Sequence, residues 1–451
     1  RVQLGSIDMG AMEFDGAVQD IVYVDIDANG NGSGNSWANA KTNLKIAIEE
    51  ASVGDEIWVA EGTYFSSSTP VRTEKIELVD QLKLYGGFSG IETMRDQKAP
   101  WLNKTIISGN IGDNATNTDN SYRIMYGDNL TDLVIDGFCF RDAFRLSDGS
   151  FDRGAIELDD CEATVLNCEF TENRAYGNTG IQCRNTSLHL ENSLFHNNIA
   201  TSGGIVSGTT NSTIEIVGCT FAENEVSGAN TVLGALSGTD LTMSNSILWQ
   251  PGNSTASSLG NVSAFNCILS DGIDDLDTYL NIRAEDPLFV DPGNQDFSIT
   301  ASSNAYDSGD PSYATQSLDL AGNSRISDNQ IDRGCFESLV CEQPHDLCSD
   351  AIELIVDASP SFGSNRCATN TPDEATTCFV NNGHSVWYTF EAPVSGRAEI
   401  ISTWVSKFSN TFNIRHVVLQ GTCGSFSVLA CDNQNSGGQG ENTVFYDLTP
   451  G

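Results

Sequence analysis

The chain is poor in cations, histidine and proline, and has no long apolar run. Only 22 of its 451 residues are Lys or Arg, against 61 Asp or Glu, for a formal charge of −39. That balance argues against nucleic acid and anionic membranes as partners, because phosphate binding needs clustered cations. It also disfavours polyuronates unless Ca²⁺ bridges the like charges. No apolar stretch approaches the roughly 20 residues a membrane helix requires. No Cys-x-x-Cys pair occurs, which disfavours a structural zinc site. The five histidines include His189 and His196, seven residues apart, read as outward and unpaired. They leave no visible nucleophile–base–acid set.

What the chain does have is a repeat. Val165-Leu-Asn-Cys-Glu-Phe170 returns as Leu190-Glu-Asn-Ser-Leu-Phe195 and as Ile216-Val-Gly-Cys-Thr-Phe221. It decays to Met243-Ser-Asn-Ser-Ile-Leu248 and Ala264-Phe-Asn-Cys-Ile-Leu269, with an earlier copy at Val134-Ile-Asp-Gly-Phe-Cys-Phe140. A period of roughly 20 to 30 residues with alternating polarity and Gly/Asn turns predicts a β-solenoid, whose coils bury their apolar faces by stacking. Phe170, Phe195 and Phe221 then form an inward ladder, and Cys168, Ser193, Cys219, Ser246 and Cys267 a second ladder of small residues. Cysteines two coils apart cannot bridge.

The fold class expected is all-β: a single-stranded right-handed parallel β-helix over residues 20–340, then an antiparallel, jelly-roll-like β-sandwich over 341–451. Leu44, Ala47, Ile48 and Ala51 keep helical spacing and predict a short helix capping the solenoid edge. Residues 91–122 read as an excursion, and beyond Leu269 the coils become irregular. Residues 1–19 align with Arg325–Glu337, which closes the solenoid, so they are expected to close a preceding solenoid in a tandem array. The sandwich stops on a turn, so further modules are expected on both sides. Seven cysteines (335, 341, 348, 367, 378, 423 and 431) crowd the C-terminal third and predict disulfides and an oxidising compartment. Cys423–Cys431, flanking a hairpin-like segment, is the expected pair.

Val22-Tyr-Val-Asp25, Ser36-Trp-Ala-Asn-Ala40, Asp55-Glu-Ile-Trp-Val-Ala-Glu-Gly-Thr-Tyr64, Tyr85-Gly-Gly-Phe88 and Ile331-Asp-Arg-Gly-Cys-Phe-Glu337 together resemble secreted bacterial parallel β-helix proteins of the choice-of-anchor type, known from Bacteroidetes. The resemblance spans about residues 20 to 338 and implies export. The Phe-x-x-Asn tetrads also resemble repeats of outer-membrane adhesins, and the C-terminal part resembles sandwich modules appended to secreted bacterial proteins.

Parallel β-helices host polysaccharide lyases and glycoside hydrolases, and a lyase needs carboxylates and a base on one exposed face. The fallback catalytic cluster is Asp152, Arg153, Asp159 and Asp160, with Glu157, Arg174 and Arg184 nearby; the Gly-His-Gly and Arg-x-Lys motifs of polygalacturonases are missing. Asp25, Asp27 and Asn29 begin an oxygen-rich loop suited to Ca²⁺, although Ser36 stands at its twelfth position. Asn-x-Ser/Thr triplets occur at Asn129, Asn185 and Asn211, among others. The balance favours a non-enzymatic cell-surface or secreted adhesin or structural protein contacting extracellular glycans or surface proteins. The alternative is a Ca²⁺-dependent polysaccharide lyase or another glycan-active enzyme.

Overall fold

Among the described residues most corners of the coil are turned on left-handed backbone, and this sets the architecture. In a computed structural model the residues described are 21–113, 115–145, 154–227, 231–236, 238–251, 254–258, 260–270, 276–326, 329–338, 347–355, 386–402, 416–432, 441–445 and 448. The segments 1–19 and Asp152-Arg153 lie outside them. Two compact units divide the chain at Ser338/Leu339.

The first unit is a right-handed parallel β-helix. Three long parallel sheets of ten, eight and seven strands form its walls, and a fourth of four two-residue strands fills one corner. One complete coil shows the pattern. Ile156–Asp159 lies in the seven-stranded sheet, Glu162–Leu166 in the ten-stranded sheet, Glu169–Thr171 in the eight-stranded sheet and Arg174–Ala175 in the fourth. Asp160 (φ 53°), Asn167 (φ 51°) and Glu172 (φ 56°) turn the three corners. Asn recurs there because its short polar side chain tolerates this region at least cost; glycine does so at Gly137 and Gly218.

Inside, Phe140, Phe170, Phe195 and Phe221 stack ring on ring at 5.0, 4.5 and 4.6 Å, close to the spacing of adjacent strands. The residue after each corner points inward and bonds the next coil. Cys168 N–H donates to Ser193 Oγ (3.1 Å) and Cys219 N–H to Ser246 Oγ (3.0 Å). Cys161, which the repeat did not place, holds the equivalent post on another corner and donates to Thr186 Oγ1 (3.1 Å). Burial pushes the Cys168 and Cys267 thiols up to about 12, as an apolar core does to any thiol. On the third corner Asn173, Asn198, Asn224 and Gln250 form a wholly internal amide ladder.

The N-terminal edge is closed as expected. Helix Leu44–Glu49 buries Leu44, Ala47 and Ile48, with the Asn43 side chain accepting from Ile46 N–H. Outside the first coils Tyr23, Trp37, Trp58 and Phe88 pack together, and Trp37 Nε1–H donates to the Glu92 carbonyl. The excursion is interrupted, because Thr105–Ser108 returns to the eight-stranded sheet.

The stretch after Leu280 differs from the irregular coils expected. It is a strap laid back along the outside of the solenoid. Asp310 N–H meets Asn245 Oδ1, Thr315 and Gln316 N–H meet Glu191, and the Leu318 carbonyl meets Asn192. Arg333 is fully buried and donates to the carbonyls of Ser308 (3.0 Å) and Cys267 (2.8 Å). The Asp-Arg-Gly-Cys-Phe-Glu motif is thus a lock. Cys335, grouped by sequence with the disulfide cysteines, is buried here against Leu194 and Phe297.

The second unit shows antiparallel pairing, Ala398–Ser402 with Glu441–Phe445 and His416–Thr422 with Ser425–Asp432, as a β-sandwich requires. Its disulfide joins Cys348 to Cys423, correcting the expected Cys423–Cys431 pair. Cys423 sits in the hairpin turn, whereas Cys431 lies opposite Val417, six residues along from Ser425. At roughly 3.3 Å per residue that is far beyond a disulfide's reach.

Candidate functional site

The corner between the seven- and ten-stranded sheets turns its polar side chains outward, once per coil. Asn129, Asp160, Asn185 and Asn211 are exposed, all with left-handed backbone. Two residues later on each strand stands a second exposed polar group: Thr131, Glu162, Ser187 and Thr213. Between them Leu130, Cys161, Thr186 and Ser212 are buried. The two rows border an open trough crossing four successive coils, with no Lys or Arg among its lining residues. Asn185 Nδ2 donates to Asp160 Oδ1 at 2.5 Å, tying neighbouring coils. The Asn-x-Ser/Thr triplets at Asn129, Asn185 and Asn211 follow from this geometry: a turn Asn, a buried residue, then an exposed hydroxyl.

Asp160 therefore belongs to the trough, but Asp159 does not. Alternation on the strand sends Asp159 and Glu157 onto the outer face of the seven-stranded sheet, where both are almost fully buried. Arg184 pairs with Asp159, and Arg123 with Glu157. Tyr126 Oη–H donates to Asp159 Oδ2 (3.2 Å). Burial, with Asp159 beside it, raises the Tyr126 phenol, and burial lowers the Arg123 guanidinium. Arg174 is on the fourth sheet. Carboxylates and arginines thus share one face over three adjacent coils, as neutralised pairs.

Both histidines depart from expectation. His189 bridges two carboxylates on the ten-stranded sheet, Nδ1 to Glu215 (2.8 Å) and Nε2 to Glu191 (3.1 Å). The Glu191 bond, more than burial opposes it, raises its pKa. His196 is buried beneath Phe297 of the strap, with Nε2 3.0 Å from Glu169. Lys104 holds the other oxygen of Glu169 at 2.5 Å. Burial alone would raise the Glu169 carboxyl, but His196 and Lys104 hold it well below its ordinary range. Periodicity along the chain placed neither partner, because Glu215 and Glu169 come from the coils next to those of His189 and His196.

The Asp25 loop is a turn held by its own side chains: Asp25 Oδ1 accepts from Asp27 N–H (2.9 Å), and Asn29 Nδ2 donates to the Asp27 carbonyl (3.1 Å). Among the described residues no group of three or more His, Cys, Asp or Glu is placed to hold a metal ion.

Fold and surface define a parallel β-helix with a polar trough. No family model and no curated protein matches this chain. Among solved structures it is similar to a rhamnogalacturonan lyase, at 12% identity and TM-score 0.36, covering 55% of this chain and 68% of the other. It is similar also to a pectate lyase, at 12% identity and TM-score 0.29, covering 71% and 97%. A galactohydrolase named for galactose-4-sulfate and anhydrogalactose-2-sulfate gives 13% identity and TM-score 0.31, covering 58% and 62%.

Proposed function

We propose that this chain is a non-catalytic binding and spacing module of a secreted or cell-surface protein of the choice-of-anchor type, holding a neutral glycan along the trough. The observation that carries this reading is the trough itself. It offers one carboxamide or carboxylate and one hydroxyl or carboxylate per coil, repeated at about 4.8 Å. A polyhydroxylated chain with its own regular repeat can meet such an array with several equivalent hydrogen bonds, direct or through water. The acidic lining and the net charge of −39 select against polyanions. The disulfide fits an oxidising, extracellular setting.

The test is retention on a panel of neutral and acidic polysaccharides, with Ca²⁺ and with chelator, assaying the same samples for new reducing ends and unsaturated sugars. Retention of a neutral glycan without cleavage, lost at least tenfold in a Ser187→Arg/Thr213→Arg double variant, supports the module. Cleavage would establish the second reading, a glycan-active enzyme, with unsaturated products marking a polysaccharide lyase. The observation favouring that reading is the Glu157/Asp159/Arg123/Arg184 face, and loss of cleavage in Arg184→Ala would assign it there.

A further inference from the structure

A lysine and an asparagine from distant parts of the solenoid meet on one carboxylate oxygen. Lys98 Nζ lies 2.8 Å from Asp136 Oδ1, and Asn167 Nδ2 donates to that same oxygen at 2.7 Å. The three side chains come from the excursion, from the end of strand Leu133–Asp136, and from the corner one coil further on. The Lys98 and Asp136 side chains are only 15% and 8% exposed. Asn192 Nδ2 donates to Asn167 Oδ1 (2.7 Å), so the carboxamide carbonyl is polarised from its far side. The strap closes the site: the Leu318 carbonyl accepts from Asn192 (3.1 Å), and Gln316 Oε1 stands 3.5 Å from Asn167 Nδ2.

The excursion is pinned so that Lys98 stays there. Ala99 N–H donates to the Gly87 carbonyl (2.7 Å), and Pro100 packs so tightly on Gly87 and Gly137 that a Cβ at either would meet it within 3 Å. Amine, carboxamide and shared carboxylate are therefore held together on a rigid frame that largely excludes water. Those are the conditions under which a weak nucleophile and a poor electrophile react.

We infer that Lys98 and Asn167 form an intramolecular isopeptide bond, with Asp136 as the proton carrier. Asp136 takes a proton from the Lys98 ammonium, freeing the Nζ lone pair to attack Cγ of Asn167. The Asn192 amide stabilises the oxygen of the tetrahedral intermediate. Asp136 then moves that proton to Nδ2, the Cγ–Nδ2 bond breaks with its electron pair and ammonia leaves, while the second proton on Nζ passes through Asp136 to the departing ammonia. Overall, an ammonium and a carboxamide become a secondary amide and an ammonium ion, with no oxidant, reductant or co-reactant. The bond would staple the excursion to the coils across a span that ordinary ion pairing holds only weakly. It stands apart from the glycan reading, since neither trough row takes part.

Intact mass of the reduced full chain tests this directly. The expected result is a chain lighter by one ammonia, and a protease digest containing one branched peptide that joins the Lys98 and Asn167 segments. Lys98→Met and Asn167→Ala should each show their full calculated mass. Asp136→Ala should retain the far-ultraviolet circular dichroism of the β-helix while losing the branched peptide. A wild-type chain at full mass overturns the inference without any variant, as does a loss of water, which would place the bond on the Asp136 carboxyl instead. Ammonia loss mapped to another residue pair also overturns it.

Discussion

Asn198 shows what a single polar residue does in this core. Its Nδ2 donates to the carbonyls of Phe170 (2.8 Å) and His196 (3.0 Å) and to Asn224 Oδ1 (2.9 Å), while its Oδ1 accepts from Asn173 N–H (3.2 Å). Removing it leaves several buried groups unsatisfied, each costing more than a lost surface bond. We expect Asn198→Ala to lower stability by about 3 kcal/mol in urea unfolding, against less than about 0.5 kcal/mol for Ser187→Ala at an exposed strand position. His189 gives a pH signature at the same scale. Its folded pKa is raised above 6.5 by Glu191, so its contribution is fully present below that pH and is lost as pH rises through the folded value. Between about pH 6 and 9 the wild-type urea midpoint should therefore fall more steeply than that of His189→Gln. Equal slopes would show that the bridge carries no linkage.

Among elements, the repeat was legible because its physics is local. The Phe, Asn and Cys/Ser positions recur wherever a coil turns the same corner, and helix Leu44–Glu49 carries its apolar stripe in its own spacing. The strap was not legible. Its contacts join residues more than 60 positions apart, such as Asp310 with Asn245 and Thr315 with Glu191, and no periodicity encodes them. Arg333 is the clearest case, since in sequence it is one basic residue in a closing motif. In the fold its guanidinium satisfies two carbonyls from different segments. Arg333→Met keeps the aliphatic volume and orphans both carbonyls, so we expect a loss of about 3 kcal/mol. Hydrogen exchange should accelerate along the strap before the Phe170–Phe221 coils open. Uniform acceleration through both would mean that strap and coils unfold as one unit.

At the scale of the molecule, the trough escaped sequence analysis for a different reason. Its residues look like ordinary turn residues, and only stacking reveals that one exposed polar pair per coil makes a continuous line. The fallback cluster was legible as composition but not as geometry, because strand alternation sends Asp159 and Asp160 to different surfaces. A line of hydrogen bonds to hydroxyls and a line of paired charges respond differently to salt. Binding through paired ions is screened within a Debye length of about 8 Å at 0.15 M and weakens steeply with ionic strength. Hydrogen bonding to hydroxyls does not. If the trough is the binding line, retention on neutral polysaccharide should change less than about twofold between 0.05 and 0.5 M salt, since no counterions are released. Affinity should also rise with oligosaccharide length until about four coils are spanned and then level off, because each coil adds one equivalent pair of contacts. Calorimetry on a length series reads both quantities in one experiment. A steep salt dependence, or affinity complete with a single sugar, would move the binding off the trough and onto a compact charged site such as the Arg184 face.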